Sequence, residues 1–304
     1  MIYTITLNPS LDYNMEIDQL QIGELNRTTN ESTFPGGKGI NVSQVLKRFN
    51  VASQTLGFLG GFIGDYIESY LDALNIPTDF IRVDGDTRIN VKLKAELETE
   101  LNAAGPTVTK EDMDKLKDQI STFTNDDLVI FSGSIPKMMP DHTYLELVEM
   151  CDQTGVPFVI DVEGHVLKDL LSFQPFLIKP NQHELGDVFG TTIHSYEEAI
   201  PYGNKLLEAG AQNIIVSLAG NGALFMNKNM IITSTVPKGD LKGSVGAGDS
   251  MVAGFLATLE KGKSVEEAFR YSVAAGSATA FSVGLCTEEK TEALLQQVKL
   301  RKIK

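Results

Sequence analysis

From Val51 onward, short runs rich in β-branched residues alternate with segments of helical length: QTLGFL precedes GDYIESYLDALN, DDLVIFSGS precedes DHTYLELVEMCDQTG, and VPFVID precedes EGHVLKDLLS. FLIKPN, NIIVSLAG and ALFM follow, and two long helical patterns come near the end. Strands that are apolar along their whole length are covered on both faces, and strand–helix alternation joins them in parallel. The chain is therefore expected to be an α/β protein built on a mostly parallel sheet with helices on both faces.

Two polar segments break this rhythm, residues 11–34 and 86–102, and both alternate like half-exposed antiparallel strands. VKLKAELETEL is the clearest period-2 run; a helix with i,i+4 Lys/Glu pairs competes for it, but the surrounding Thr, Val and Asn are weak helix formers. The two segments predict a small β-sheet inserted discontinuously, leaving residues 1–10, 35–85 and 103–304 as the core. A sheet so placed can act as a lid over the C-terminal ends of the parallel strands.

A net charge of -14 argues against nucleic acid or anionic membrane as partner, because such binding draws on a basic face. Any anionic ligand must then be attracted by a few placed cations and backbone N–H groups. MIYTITLNPS opens the chain with neither a basic segment nor a long apolar stretch, so a cytoplasmic location is expected. Cys151 and Cys286 are too few for a disulfide framework or a cysteine zinc site, and read as buried thiols.

In GSVGAGDSMVAGFLATL, residues 243–259, flexible backbone stands directly before a helix. Consecutive N–H groups at a helix start, unobstructed at Gly246 and Gly248, can cradle an anion and the charge that develops during phosphoryl transfer. Asp249 would repel a phosphate, which makes sense if it faces an alcohol, orienting the hydroxyl and accepting its proton. An Asp capping a helix after a glycine turn is the plainer alternative.

Three further clusters are weaker taken singly. FPGGKGINVSQVLKRF (34–49) repeats the design of backbone donors at a helix start, with Lys38 and Asn41 added, or is a loop with a solvated lysine. IKPNQHEL (178–185) places Asn181 and Glu184 on one helical turn, suited to the waters of a nucleotide-bound Mg²⁺ and equally to a capping box. VSLAGNGALFM (216–226) offers Ser217, Gly220 and Gly222 to a nucleotide, or is a simple β-turn. GKS at 262–264 is no P-loop, since Ala257 stands where glycine is required, and Ser264 with Glu267 forms a capping box instead. His183–Glu184 does not make HExxH because residue 187 is Asp, and His142, His165 and His194 sit at no metal-ligand spacing.

In this order the clusters resemble the ribokinase/PfkB family of carbohydrate kinases, whose two signatures look like FPGGKGINVSQVL and SVGAGDSMVAGFLATL; LNPSLDY and TRINVKL look like its branch acting on phosphorylated ketohexoses. The resemblance implies a ribokinase-like, Rossmann-like core with a β-lid, ATP and Mg²⁺ as cofactors with room for a monovalent cation, and a homodimer joined through the lid. It implies Asp249 as catalytic base, with Gly246, Ala247 and Gly248 supplying the anion hole. Asp12, Gly37, Lys38, Asn41 and Arg88 would hold the sugar phosphate with Arg27 and Ser134. Lys179, Asn181, Ser217, Gly220, Gly222 and Ser244 would lie along ATP, and Glu184 would meet its Mg²⁺ through water. The implied reaction is phosphorylation of fructose 1-phosphate to fructose 1,6-bisphosphate, with tagatose 6-phosphate as the alternative acceptor. A sugar-phosphate sensor without turnover is the rival of a different class, and the intact GAGD argues against it. Met138, Ala219 and Glu163 depart from the family pattern, where Gly, Gly and Ser are usual.

Overall fold

The computed structural model describes residues 1–162 and 164–304; Glu163 and the side chain of His165 lie outside the described residues. The first half of the chain runs β1 (Ile2–Thr6), β2 (Ser10–Glu16), β3 (Asn30–Gly36), α1 (Lys38–Arg48), β4 (Ser53–Leu59), α2 (Gly61–Ala73), β5 (Thr78–Arg82), β6 (Arg88–Lys94), β7 (Glu98–Asn102), α3 (Lys110–Ile120), β8 (Leu128–Ser132) and α4 (Thr143–Thr154). The second half runs β9 (Phe158–Asp161), α5 (Gly164–Leu170), β10 (Leu177–Ile178), α6 (Gln182–Phe189), α7 (Tyr196–Glu208), β11 (Asn213–Ser217), β12 (Ala223–Asn227), β13 (Ile231–Ser234), α8 (Ala247–Glu260), α9 (Val265–Ala280), α10 (Glu288–Leu295) and β14 (Leu300–Lys302).

Ten strands form one sheet in the order β14-β13-β12-β11-β10-β9-β8-β1-β4-β5. Pairing is parallel from β11 to β5, and β12 to β14 extend it antiparallel at one edge. Successive side chains of a strand point to opposite faces. Here both faces are apolar: Val129, Phe131, Phe158 and Ile160 pack into one core, while Ile130 and Val159 pack into the other. No helix among the described residues is long and apolar enough to cross a membrane.

A separate four-stranded sheet has the order β3-β2-β6-β7. The run VKLKAELETEL does not form one strand. It turns back after Lys94, and β6 pairs antiparallel with β7, Val91 opposite Leu101 and Lys94 opposite Glu98. Alternation continues across the turn, so periodicity alone could not reveal it. Helix α9 begins as expected, with Ser264 accepting from Glu267 N–H in a complete capping box.

Candidate active site

Strands β10, β9, β8 and β1 lie side by side in the sheet, and their C-terminal edge carries the polar residues Asp161, Ser132 and Thr6, with Lys179 directly after β10. Asp161 closes the apolar strand FVID and is only 3% exposed. A carboxylate so deeply buried costs several kcal/mol unless it is compensated. Two lysines compensate it: Lys38 Nζ donates to Asp161 Oδ1 at 2.9 Å, and Lys179 Nζ stands 3.6 Å from the same oxygen. Lys38, the first residue of α1, also donates to the Asp161 carbonyl at 3.3 Å and lies 3.9 Å from Glu184 Oε1.

Helix α8 packs on α1 and starts at the same edge. Gly246 caps it, and Asp249, in its first turn, is 6% exposed. Asn41 Nδ2 donates to Asp249 Oδ2 at 2.8 Å, tying the two helices together at the carboxylate. The Ala247 N–H is occupied by the Ser244 carbonyl at 3.2 Å. The N–H groups of Gly246, Gly248 and Asp249 meet no acceptor among the described residues, which leaves them, with the helix dipole, for an anion. A β-carbon on Gly248 would lie 2.8 Å from Lys179 Nζ, so the ammonium stands against these amides.

The electrostatics follow from this crowding. Burial first, and then the neighbouring Asp161 charge, push the Asp249 carboxyl up to about 6, although Lys38, Asn41 and Lys179 oppose the rise. Burial alone would raise Asp161 as well, but Lys179 and Lys38 hold it below the ordinary carboxylate range. Burial would lower the Lys38 ammonium, and the charges of Asp161, Asp249 and Glu184 override it and lift Lys38 above its usual value.

A second polar cluster belongs to the small sheet. Asp12 Oδ1 accepts from Ser10 Oγ at 2.8 Å and from Asn90 Nδ2 at 3.2 Å, while its Oδ2 stands 3.1 Å from Lys92 Nζ. Arg88 donates through Nε and Nη2 to the Asn8 carbonyl at 3.2 and 3.1 Å, and through Nη1 to the Ala103 carbonyl at 3.2 Å. Burial holds its guanidinium below the ordinary value, against the pull of Asp12. Gly37 caps α1 beside Lys38, and Ser134 is half-buried in the loop after β8. Arg27 is exposed between β2 and β3, with no hydrogen bond or ion pair among the described residues.

On the other side of the edge the capping role of Asn181 and Glu184 is explicit. Asn181 Oδ1 accepts from His183 and Glu184 N–H at 2.8 and 2.9 Å, and Glu184 Oε2 accepts from Asn181 N–H at 2.8 Å. The cap consumes one Glu184 oxygen and leaves Oε1 facing Lys38. Ser217 joins Asn181 through a backbone bridge. Gly222 serves the turn between β11 and β12: at φ 100°, a β-carbon would fall 2.0 Å from the Ser234 carbonyl. Gly220 lies open, and Ser244 is exposed before α8. Ala219 has a left-handed φ of 49°, and Met138 is 76% exposed. His142 and His194 are surface residues.

The structure thus gathers Lys38, Asn41, Lys179, Glu184 and Asp249 around one residue the motifs did not single out, Asp161. Ser10, Asn90 and Lys92 were likewise missed beside Asp12. A carboxylate ending an otherwise apolar strand at the C-terminal edge was the available signal for the first. Alternate positions counted from Arg88 along TRINVKL were the signal for Asn90 and Lys92.

The sequence profile of the pfkB family carbohydrate kinases matches residues 6–292. The chain is 51% identical over 303 residues to a 1-phosphofructokinase of Bacillus subtilis, with 100% of both chains covered. It is 38% identical over 301 residues to a D-tagatose-1-phosphate kinase of Bacillus licheniformis, covering 99% of each. Its fold is similar to that of phosphofructokinase-2 from Escherichia coli in complex with substrates and products, with a TM-score of 0.92 and 27% identity over 97% of this chain and 98% of that one.

Proposed function

From the premise that the chain belongs to the pfkB family of carbohydrate kinases, we propose that it transfers the γ-phosphoryl group of ATP to the C6 hydroxyl of fructose 1-phosphate, giving fructose 1,6-bisphosphate. The observation that carries this reading is the buried carboxylate of Asp249, held by Asn41 beside amides with no partner among the described residues.

Asp249 orients the attacking hydroxyl and takes its proton. A carboxyl near 6 is far too weak a base to form a free alkoxide, so the proton moves late, as the P–O bond forms. The amides of Gly246, Gly248 and Asp249 stabilise charge on the moving phosphoryl group, and Lys179 adds a cation beside them. Asp12, Gly37, Lys38, Asn41, Arg88 and Ser134 hold the sugar end, with Arg27, in the loop between β2 and β3, as a further cation for it. Asn181, Ser217, Gly220, Gly222 and Ser244 border the nucleotide.

No cluster of three or more His, Cys, Asp or Glu suited to a metal occurs among the described residues. The lone Glu184 Oε1 fits a Mg²⁺ carried mainly by ATP oxygens and water, which would supply charge neutralisation of the phosphates.

The 38% identity to a D-tagatose-1-phosphate kinase favours tagatose 1-phosphate as the second acceptor, ahead of tagatose 6-phosphate. Tagatose differs from fructose only at C4, so both 1-phosphates offer the same C6 hydroxyl. A coupled ADP-release assay across the three phosphates tests the reading. The highest kcat/KM is expected for fructose 1-phosphate, and a preference for either tagatose phosphate would replace it.

The small sheet is proposed to pair two subunits. Asn90 and Lys92 both contact Asp12 on its polar face, and alternation puts Leu11, Tyr13, Ile89, Val91 and Leu101 on the other. Ile89 is 38% and Leu101 62% exposed, which a second copy would cover. Sedimentation is expected to give a dimer that Leu101→Asp weakens.

A further inference from the structure

We infer that Asp161 is a positioning residue of this site: one buried carboxylate oxygen holds Lys38, at the start of α1, and Lys179, beside the α8 amides, in fixed relation to each other. The inference rests on the kinase reading for its effect on turnover, though its geometry stands without it.

Lys38 and Lys179 come from different elements and converge on Asp161 Oδ1 at 2.9 and 3.6 Å. Each lysine has a long flexible stem and three donors, so its ammonium is poorly placed unless something holds it. A shared acceptor fixes both before substrate arrives and still leaves donors on each for phosphoryl oxygens, which is how preorganised charge becomes effective. A purely architectural role explains less. A buried ion pair contributes little net stability over an apolar replacement, and Asp161 Oδ2 is buried with no hydrogen-bond partner, an arrangement poor for stability alone.

The second consequence is electrostatic. Five charged groups share the edge: Lys38 and Lys179 against Asp161, Asp249 and Glu184. Asp249 faces Asp161 from β9, Lys38 and Asn41 from α1, and Lys179 from the segment after β10. In this set Asp161 is the like charge that opposes ionisation of Asp249, while the two lysines it holds favour it. Removing its charge should therefore ease Asp249 toward ionisation, because the like charge is gone while the two lysines, loosened from Asp161, still have the Asp249 carboxylate to turn to.

Asp161→Asn and Asp161→Glu together separate these effects. In ligand-free protein carrying ¹³C-carboxyl aspartate, the Asp249 resonance, identified by its loss in Asp249→Asn, is expected to titrate at least about 0.5 pH unit lower than in wild type. The KM values for ATP and for fructose 1-phosphate are both expected to rise at least about fivefold, because a lysine at each is unfastened. Asp161→Glu, which keeps the charge but moves the oxygen by one methylene, should leave the Asp249 midpoint within about 0.3 pH unit of wild type and still raise both KM values. An unmoved midpoint in Asp161→Asn, or a lowered melting temperature with both KM values unchanged, would overturn the inference. If Asp161→Asn does not fold, Asp161→Glu decides, and unchanged KM values there would likewise overturn it. Wild-type protein that turns over no ketohexose phosphate would sink the kinase reading instead, while the titration would still decide whether Asp161 acts on Asp249.

Discussion

At the scale of single residues, Asp249 is where activity and stability pull apart. Its carboxyl lies near 6 instead of the ordinary 3.8 because burial and Asp161 disfavour its charge. Between those values the folded protein keeps a proton that the unfolded chain releases, so stability falls as pH rises through that window, and the full cost remains above it. Asp249→Asn removes the cost. At pH 8 it is expected to stabilise the protein by about 1–3 kcal/mol in urea unfolding, with the gain vanishing near pH 4. Turnover should fall at least about 10²-fold, and ATP affinity should stay within about threefold. In wild type, kcat/KM is expected to fall as pH drops through about 6. Equal stability of the two proteins at pH 8 would show that the buried carboxylate is better solvated than its surroundings imply. Ala219 is a second residue of this kind: it is exposed and holds a φ of 49°, where a β-carbon is strained. Ala219→Gly is expected to raise stability by about 0.5–1 kcal/mol, read as a higher urea midpoint. Both positions could be picked from sequence, Asp249 because glycine-rich backbone before a helix is a local pattern and Ala219 because it stands where the family it resembles usually has glycine. Asp161 offered only the faint signal of a carboxylate closing an apolar strand, and its meaning depends on lysines at positions 38 and 179 that only the fold brings together.

At the scale of elements, alternation of apolar strands and helices was sufficient to read the parallel sheet, because both faces are buried and the centres of β9 and β11 must then be apolar, polar residues standing only at their ends. The edge was less legible. Strand β14 is three residues long and mostly charged, so it carries neither the length nor the pattern that marks a strand. The polar sheet was readable from its period of two, but not the turn between β6 and β7, since Ala95–Leu97 keeps the period. Arg88 stands at the start of β6 and braces this sheet against the Asn8 and Ala103 carbonyls. The same guanidinium is the cation proposed to hold the sugar phosphate, and the two roles predict different kinetics. If it holds substrate, Arg88→Ala raises KM for fructose 1-phosphate at least about tenfold and KM for ATP less than about twofold. If it only braces the sheet, both KM values rise together.

At the scale of the whole molecule, a chain of net charge -14 must take up two anions, ATP and a sugar phosphate, so its long-range field and its local site act in opposition. The site itself is no basic basin: Lys38 and Lys179 are outnumbered by the carboxylates of Asp161, Asp249 and Glu184. Attraction must come from oriented amides, Arg88 and the metal carried with ATP, all of which act over a few ångströms. Salt distinguishes the two ranges. At about 0.01 M ionic strength the screening length is roughly 30 Å and the acidic surface repels the incoming sugar phosphate; near 0.1 M it is roughly 10 Å and that repulsion is largely gone, while contacts within the cleft persist. The value of kcat/KM for fructose 1-phosphate, measured at fixed free Mg²⁺ with tetramethylammonium chloride, is therefore expected to rise about two- to fivefold over this range. A protein that recruits its substrate with a basic face gives the opposite slope, falling steadily with salt. A steady fall here would mean that the cations of the cleft reach far beyond it, and that the excess of acidic residues is arranged away from the approach to Asp249.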